Sequence, residues 1–131
     1  MMTDPIADEL TRMRNALRIR RTSVDVPHSK IKQGVAEALL REGFIRDFQV
    51  IDTKPRPTLR IGLKYGPNGE DVISYIQRTS KPGCRVYRDI AALKPVRRGI
   101  GITVVSTSRG ILSDRECRKL KVGGEVLATV W

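Results

Sequence analysis

Apolar positions recur at helical spacing along the first twenty residues. Ile6, Leu10, Met13 and Leu17 fall four, three and four residues apart, which lines them along one helix face. Asp4 can accept hydrogen bonds from first-turn amides and Pro5 suits the first helical position, so the helix is expected to open there. Val24 and Val26 alternate with polar neighbours up to Pro27, which predicts a short strand. Ser29 offers a second N-cap, followed by Ile31, Val35, Ala38 and Leu39 as inward positions and Gly43 as the stop. Gly34 sits inside this helix, where it costs about 1 kcal/mol relative to Ala. Strands are expected over 44–51 and 58–65, the second from the alternation of Leu59, Ile61, Leu63 and Tyr65. Lys54-Pro55-Arg56-Pro57 is the loop between them.

Gly66-Pro67-Asn68-Gly69 is dense turn chemistry and the best place for a boundary. Beyond it the pattern predicts a strand over 72–78, the loop Thr79-Ser80-Lys81-Pro82-Gly83, a short strand over 85–87 and a helical turn over 89–93. A β-branched strand over 101–105, a polar loop, a helix over 114–120 and a last strand over 125–131 follow. Ser113-Asp114-Arg115-Glu116 fits the capping box, with Leu112 and Cys117 at the staple positions. The expected fold class is α+β in two small domains. Residues 1–66 form an N-terminal α-β-α-β-β unit, and 67–131 a C-terminal unit that is mostly β with one short α-helix.

Charge narrows the function. The chain carries 25 Lys and Arg against 14 Asp and Glu, a formal charge of +11. All twelve Lys and Arg of the second half lie between Arg78 and Lys121, with only Asp89, Asp114 and Glu116 among them, so that span nets +9. A small domain this basic meets a polyanion. Aromatic residues are only 5%, which argues against a binder built from rows of stacking rings. Two distant cysteines and the absence of a secretory-type apolar leader point to a reduced cytosolic setting, and no apolar run is long enough for membrane insertion.

Catalytic, cofactor and metal patterns fail. His28 is the only histidine and flanks a proline at a strand end. Cys84 lacks the arginine six positions later that a phosphatase loop needs, since Ile90 stands there. No CxxC pair occurs, and Gly99-Ile100-Gly101 leads into a strand with Val104 at the third glycine position of a dinucleotide loop. No enzyme, no cofactor and no small-molecule substrate are expected.

Two segments carry candidate RNA chemistry. Ser106-Thr107-Ser108 presents three short hydroxyls, each donor and acceptor, which can enter a shallow groove lined with 2′-hydroxyls and base edges. Arg109 adds a phosphate contact and Gly110 permits close approach. The same residues also suit an ordinary strand-to-helix connection. Tyr87, between Arg85 and Arg88, offers a ring for an exposed base, and Lys81-Pro82-Gly83 a rigid basic turn; a core tyrosine fits the strand equally well.

These residues stand in a recognisable order. Asp4-Pro5-Ile6-Ala7-Asp8 with Leu10-Thr11-Arg12 and Arg14-Asn15-Ala16, then Ser80-Lys81-Pro82-Gly83 with Arg85-Val86-Tyr87, resemble signatures of the eighth protein of the bacterial small ribosomal subunit. Val105 to Gly110, Val122-Gly123-Gly124-Glu125-Val126 and Trp131 continue the match along essentially the whole chain. The resemblance implies a two-domain α+β protein that binds the central domain of 16S rRNA, supports subunit assembly and touches neighbouring small-subunit proteins. It implies RNA contacts from Ser106, Thr107, Ser108, Arg109, Tyr87, Lys81, Arg85, Gly124 and Glu125, with Lys30, Arg12 and Arg14 adding contacts from the N-terminal half. Repression of its own operon through the mRNA is a further activity that the resemblance implies.

Overall fold

A computed structural model describes residues 4–131 of the chain. Helix α1 (Pro5–Arg18) opens as expected: the Asp4 side chain accepts from the Ala7 amide and Pro5 occupies the first turn. It is followed by β1 (Ser23–Pro27), α2 (Lys30–Arg41), β2 (Ile45–Ile51) and β3 (Thr58–Leu63). The Ser29 hydroxyl caps α2 by accepting from the Lys32 amide. At its other end Gly43, at φ +81°, lets the Phe44 and Gly43 amides donate to the Leu39 and Leu40 carbonyls. The three strands form one antiparallel sheet in the order β1-β3-β2.

The second half contributes β4 (Ile76–Arg78), β5 (Tyr87–Arg88), β6 (Ile102–Thr107), β7 (Gly110–Ser113), α3 (Asp114–Leu120) and β8 (Gly124–Val130). They form a five-stranded antiparallel sheet in which β8 is central. Strand β6 pairs along one edge of β8; β4 and β5 share the other, at opposite ends. The capping box is complete: Ser113 Oγ accepts from the Glu116 amide while the Glu116 carboxylate accepts from the Ser113 amide.

Several boundaries differ from the sequence expectation. Residues 72–75 are not strand, because the Ser74 and Tyr75 amides both turn onto the Trp131 carbonyl, at 2.7 Å each. Tyr65 forms only an isolated bridge with Asp71. Ile31 is exposed, and Lys32 takes its place facing inward with Val35, Ala36 and Leu39, the stripe the helix actually buries. The largest difference is β7. Its two apolar residues, Ile111 and Leu112, are too few to show a period, and the expected polar loop is instead the turn of a β6–β7 hairpin.

One hydrophobic cluster crosses both sheets. Ile6, Leu10 and Met13 of α1, Val35 and Leu39 of α2 and Leu59 and Ile61 of β3 pack with Ile76, Ile102, Val104, Leu127 and Val130 from the second sheet. The β6–β8 register slips between Val104 and Val105, so Leu127 and Ala128 both join this core while Val126 faces the other side. A smaller cluster of Leu93, Val105, Leu112, Cys117 and Val126 lies there, under α3.

The joint between the halves is tight. A Cβ on Gly34 would lie 2.5 Å from Ile111 Cγ1, so glycine is what allows α2 to seat against β7. At the end of α2, Arg41 donates to both Glu116 oxygens, at 2.9 and 3.1 Å, and to the Ile111 carbonyl. Glu42 accepts from Ser113 Oγ at 2.8 Å and from Arg115 at 3.0 Å. We expect Gly34→Ala to destabilise the protein: overpacking costs about 1–3 kcal/mol, against a helix-propensity gain of about 1 kcal/mol. In an Ile111→Ala background the same change should become neutral or favourable, which a double-mutant cycle of chemical denaturation measures.

Glu9 is fully buried on α1, and neither carboxylate oxygen has a hydrogen-bond partner among the described residues. Burial pushes its pKa well above the usual value, and nearby Lys32, itself donating to the Pro27 carbonyl, offsets this only partly. A carboxyl with a raised folded pKa costs nothing below its unfolded pKa, and stability falls as pH rises toward the folded value. Relative to Glu9→Gln, the native chain should therefore lose stability as pH rises above the ordinary carboxylate range. Parallel pH profiles of the two in thermal denaturation would contradict this.

Candidate nucleic-acid interface

Register on β8 brings three of the candidate residues into one transverse row. Tyr87 of β5 pairs with Glu125, and Glu125 pairs on its other edge with Ser106 of β6, which in turn faces Ile111 of β7. Directly opposed residues project to the same face with Cβ atoms about 4.5–5.5 Å apart. Exposure is highest at the Tyr87 end of the row, the other members being half-buried. Ile111 lies under Gly34, Ser106 is half-buried, and Tyr87 is 64% exposed with its ring open to solvent.

The turn after Ser106 is built by one of its own hydroxyls. Thr107 Oγ1 donates to the Gly110 carbonyl at 2.8 Å and accepts from the Arg109 amide at 3.0 Å. Gly110 has φ +108°, a conformation other residues adopt only with strain. Ser108 and Arg109 form the exposed tip. Of the three hydroxyls, Thr107 is thus largely spent on the turn. Those of Ser106 and Ser108 make no hydrogen bond among the described residues, so they remain open to a ligand.

Glu125 is held from within the protein. Its Oε2 accepts from Ser80 Oγ at 2.5 Å and from Arg85 at 2.9 Å. Burial pushes this carboxyl upward, but the Ser80 and Arg85 hydrogen bonds outweigh it and hold the pKa below the usual range. Ser80 is fully buried and also accepts from the Val86 amide, so it ties the segment leading into β5 to β8. Lys81 and Cys84 close the basic turn with reciprocal backbone bonds of 3.1 and 2.9 Å, leaving the Lys81 and Arg85 side chains exposed beside Tyr87. A Cβ on Gly124 would lie 2.0 Å from the Ser106 carbonyl oxygen, so this glycine permits the strand pairing itself.

The N-terminal candidates divide. Gly34 lies over Ile111 and Glu42 over Ser113, so α2 runs with its first residue, Lys30, toward the hairpin turn. Arg12 and Arg14 do not join the row. Arg12 pairs with Asp8 at 3.1 Å and donates to the Asp25 carbonyl, and Arg14 donates to the Ile76 carbonyl at the opposite end of β8. Ser80 was visible in the sequence only as a loop residue; nothing there signals its burial.

Of the two cysteines, Cys84 is an exposed free thiol in the basic turn. Cys117 is buried and its thiol is pushed up to about 11 by burial and by Asp114 and Glu116. Among the described residues no group of three or more His, Cys, Asp or Glu is placed to hold a metal, and no helix is long and apolar enough to cross a membrane.

The model of the family described as ribosomal protein S8 matches residues 4–131. The chain belongs to the ribosomal protein S8 family. It is similar to the small ribosomal subunit protein uS8 of Rhodopirellula baltica, 56% identical over 99% of each chain. It also resembles the proteins of that name from Lactobacillus helveticus, at 53%, and Streptococcus pneumoniae, at 51%, each across 100% of this chain and 99% of the relative.

Ser80→Ala should leave the Val86 amide unsatisfied and Glu125 with Arg85 alone, costing about 1–3 kcal/mol. Glu125's depressed pKa contributes stability above the unfolded carboxylate pKa that is lost as pH falls through the folded value. The variant should therefore lose less stability than the native chain on acidification, as urea denaturation at several pH values would register.

Proposed function

We propose that this chain is a structural constituent of the small ribosomal subunit that binds the central domain of 16S rRNA and supports subunit assembly. Its family is a structural, non-enzymatic component of the cytoplasmic ribosome. The observation that carries the finer reading is the row Tyr87–Glu125–Ser106 continued into the Ser108–Arg109 tip. Two free hydroxyls stand at a depth that suits the shallow minor groove of RNA, where long side chains would be excluded. Tyr87 gives a stacking platform at the open end, a contact type worth about 1–3 kcal/mol per base.

The roles divide by chemistry. Lys81, Arg85, Arg109 and Lys30 surround the row and supply phosphate contacts, which give affinity without sequence information. Ser106, Ser108 and Tyr87 meet sugar and base groups and so recognise one local RNA shape. Glu125, with Oε2 occupied, has Oε1 left to accept from a base amino group or 2′-hydroxyl. Gly124 serves the RNA surface indirectly, by permitting the close β6–β8 pairing that sets Ser106 beside Glu125. Arg12 and Arg14 lie away from this surface and would touch RNA only through a separate contact. Neighbouring small-subunit proteins are the other partners of this reading. An mRNA segment folded like the rRNA junction would meet the same surface, which is the basis for operon repression.

Ser106→Ala with Ser108→Ala, leaving the turn-forming Thr107 intact, should weaken binding to the rRNA junction about tenfold or more. Binding to an unrelated duplex of equal length should change less than about twofold, since phosphate contacts dominate there. Filter binding at moderate salt reads both, and equal losses on the two RNAs would refute the division of labour.

A further inference from the structure

The three-stranded sheet has two open edges, β1 and β2, and the fold treats them differently. The Leu63 amide donates to the Thr22 carbonyl and the His28 amide to the Pro57 carbonyl. That phase turns the amides and carbonyls of odd-numbered β3 residues toward β1 and those of even-numbered residues toward β2. On β1 the outward backbone groups therefore belong to Ser23, Asp25 and Pro27. This edge is partly capped. Arg12 donates to the Asp25 carbonyl at 3.3 Å, Lys32 Nζ donates to the Pro27 carbonyl at 2.9 Å, and proline has no amide to offer.

On β2 the same phase aims the amide and carbonyl of Phe48 and Val50 outward, and none of these groups has a partner among the described residues. Phe48 stands opposite Ile61 and Val50 opposite Leu59, so both side chains lie on the core face. Phe48 is half-buried there and Val50 is 46% exposed. The only irregularity is the bulge between Ile45 and Asp47; beyond it the pairing is regular to Ile51. An uncapped edge of β-prone residues is a template for another strand.

This edge fits a second copy of itself. Antiparallel pairing about a two-fold axis at Gln49 sets Phe48 of each copy against Val50 of the other, so outward amides meet outward carbonyls. It also brings Arg46 beside Asp52 of the other copy. Arg46 is engaged only with its neighbour Asp47, at 3.3 Å with both side chains more than half exposed, and Asp52 has no ion-pair partner among the described residues. An axis at Val50 would set Arg46 against Lys54, and an axis at Phe48 would set it against Val50. Charge therefore selects Gln49.

We propose that the RNA-free chain forms a two-fold dimer by pairing β2 with β2 about Gln49, joining the two three-stranded sheets into one. Phe48 of each copy then covers the exposed Val50 of the other. One added strand pair makes an interface at the small end of the range, so the association is weak and reversible. The dimer does not depend on the reading of the RNA surface, to which β2 contributes no residue.

Gln49→Cys in a Cys84→Ser background tests the register, since Cys117 is buried. In a non-hydrogen-bonded pair the two Cα atoms lie about 4.5 Å apart, within disulfide range. Cysteines at Asp47 would instead stand about 13 Å apart along the strands. Under a glutathione redox buffer Gln49→Cys should form linked dimer about tenfold faster or more than Asp47→Cys in the same background. Sedimentation velocity of the full chain without RNA should show a mean sedimentation coefficient that rises with concentration. Asp52→Arg should weaken this association about fivefold or more, because two-fold symmetry applies the change twice. Adding Arg46→Asp restores opposite charges and should recover it. Arg46, Asp47, Gln49 and Asp52 are all exposed, so none of these changes removes a core side chain. A chain that stays monomeric at every concentration, equal cross-linking at the two cysteines, or a charge reversal without effect or without rescue would overturn the proposal.

Discussion

Backbone hydrogen bonds along both edges of β8 are the constraint on which the rest of the molecule depends. Strand β5 is only two residues long and has no sheet partner other than β8 among the described residues, so Tyr87 holds its place through pairing with Glu125 and through the Ser80 hydroxyl. Strand β6 reaches its turn with Ser106 aligned to the same Glu125. Tyr87 and Ser106 are too far apart in sequence for local preference to bring them together; one intervening strand makes them neighbours in a row. The bulge at Leu127 then lets β8 feed two hydrophobic clusters, one on each face.

The joint between α2 and β7 converts the two sheets into a platform. Individually, partly exposed ion pairs such as Arg41–Glu116 contribute only about 0.2–1 kcal/mol. Their effect here is geometric, because they close around a helix already seated at the Gly34–Ile111 contact. A hairpin whose root is clamped in this way presents Ser108 and Arg109 in one arrangement. The proposed recognition of a folded RNA by short hydroxyls would depend on that, since such side chains have no length with which to adapt.

Several residues that suit RNA by their chemistry serve the fold as well. Gly124 is needed for close strand approach, Thr107 for the turn and Glu125 as the acceptor for Ser80 and Arg85. Loss of RNA binding on changing any of these would mix distortion with lost contact. Ser106, Ser108 and Tyr87, which make no such internal side-chain bonds among the described residues, separate the two effects more cleanly.

Much of the architecture was legible in local pattern. Asp4-Pro5, Ser29 and Ser113 capped the helices expected of them, because capping depends on residues three or four positions apart. The α-β-α-β-β order, the mostly β second half and the basic span from Arg78 to Lys121 are likewise properties of the chain read in one dimension. Strand β7 was not legible, since two apolar residues make no period. Nor were the inward turn of Lys32, the burial of Glu9 and Ser80, or the left-handed run at Arg97–Arg98. Each is imposed by contacts between segments distant in sequence: packing chooses which helix face is buried, and pairing chooses which residues share a row. Composition and local spacing determined that this protein is a basic α+β chain with hydroxyls near a turn; only tertiary packing decided which hydroxyls stay free and what stands beside them.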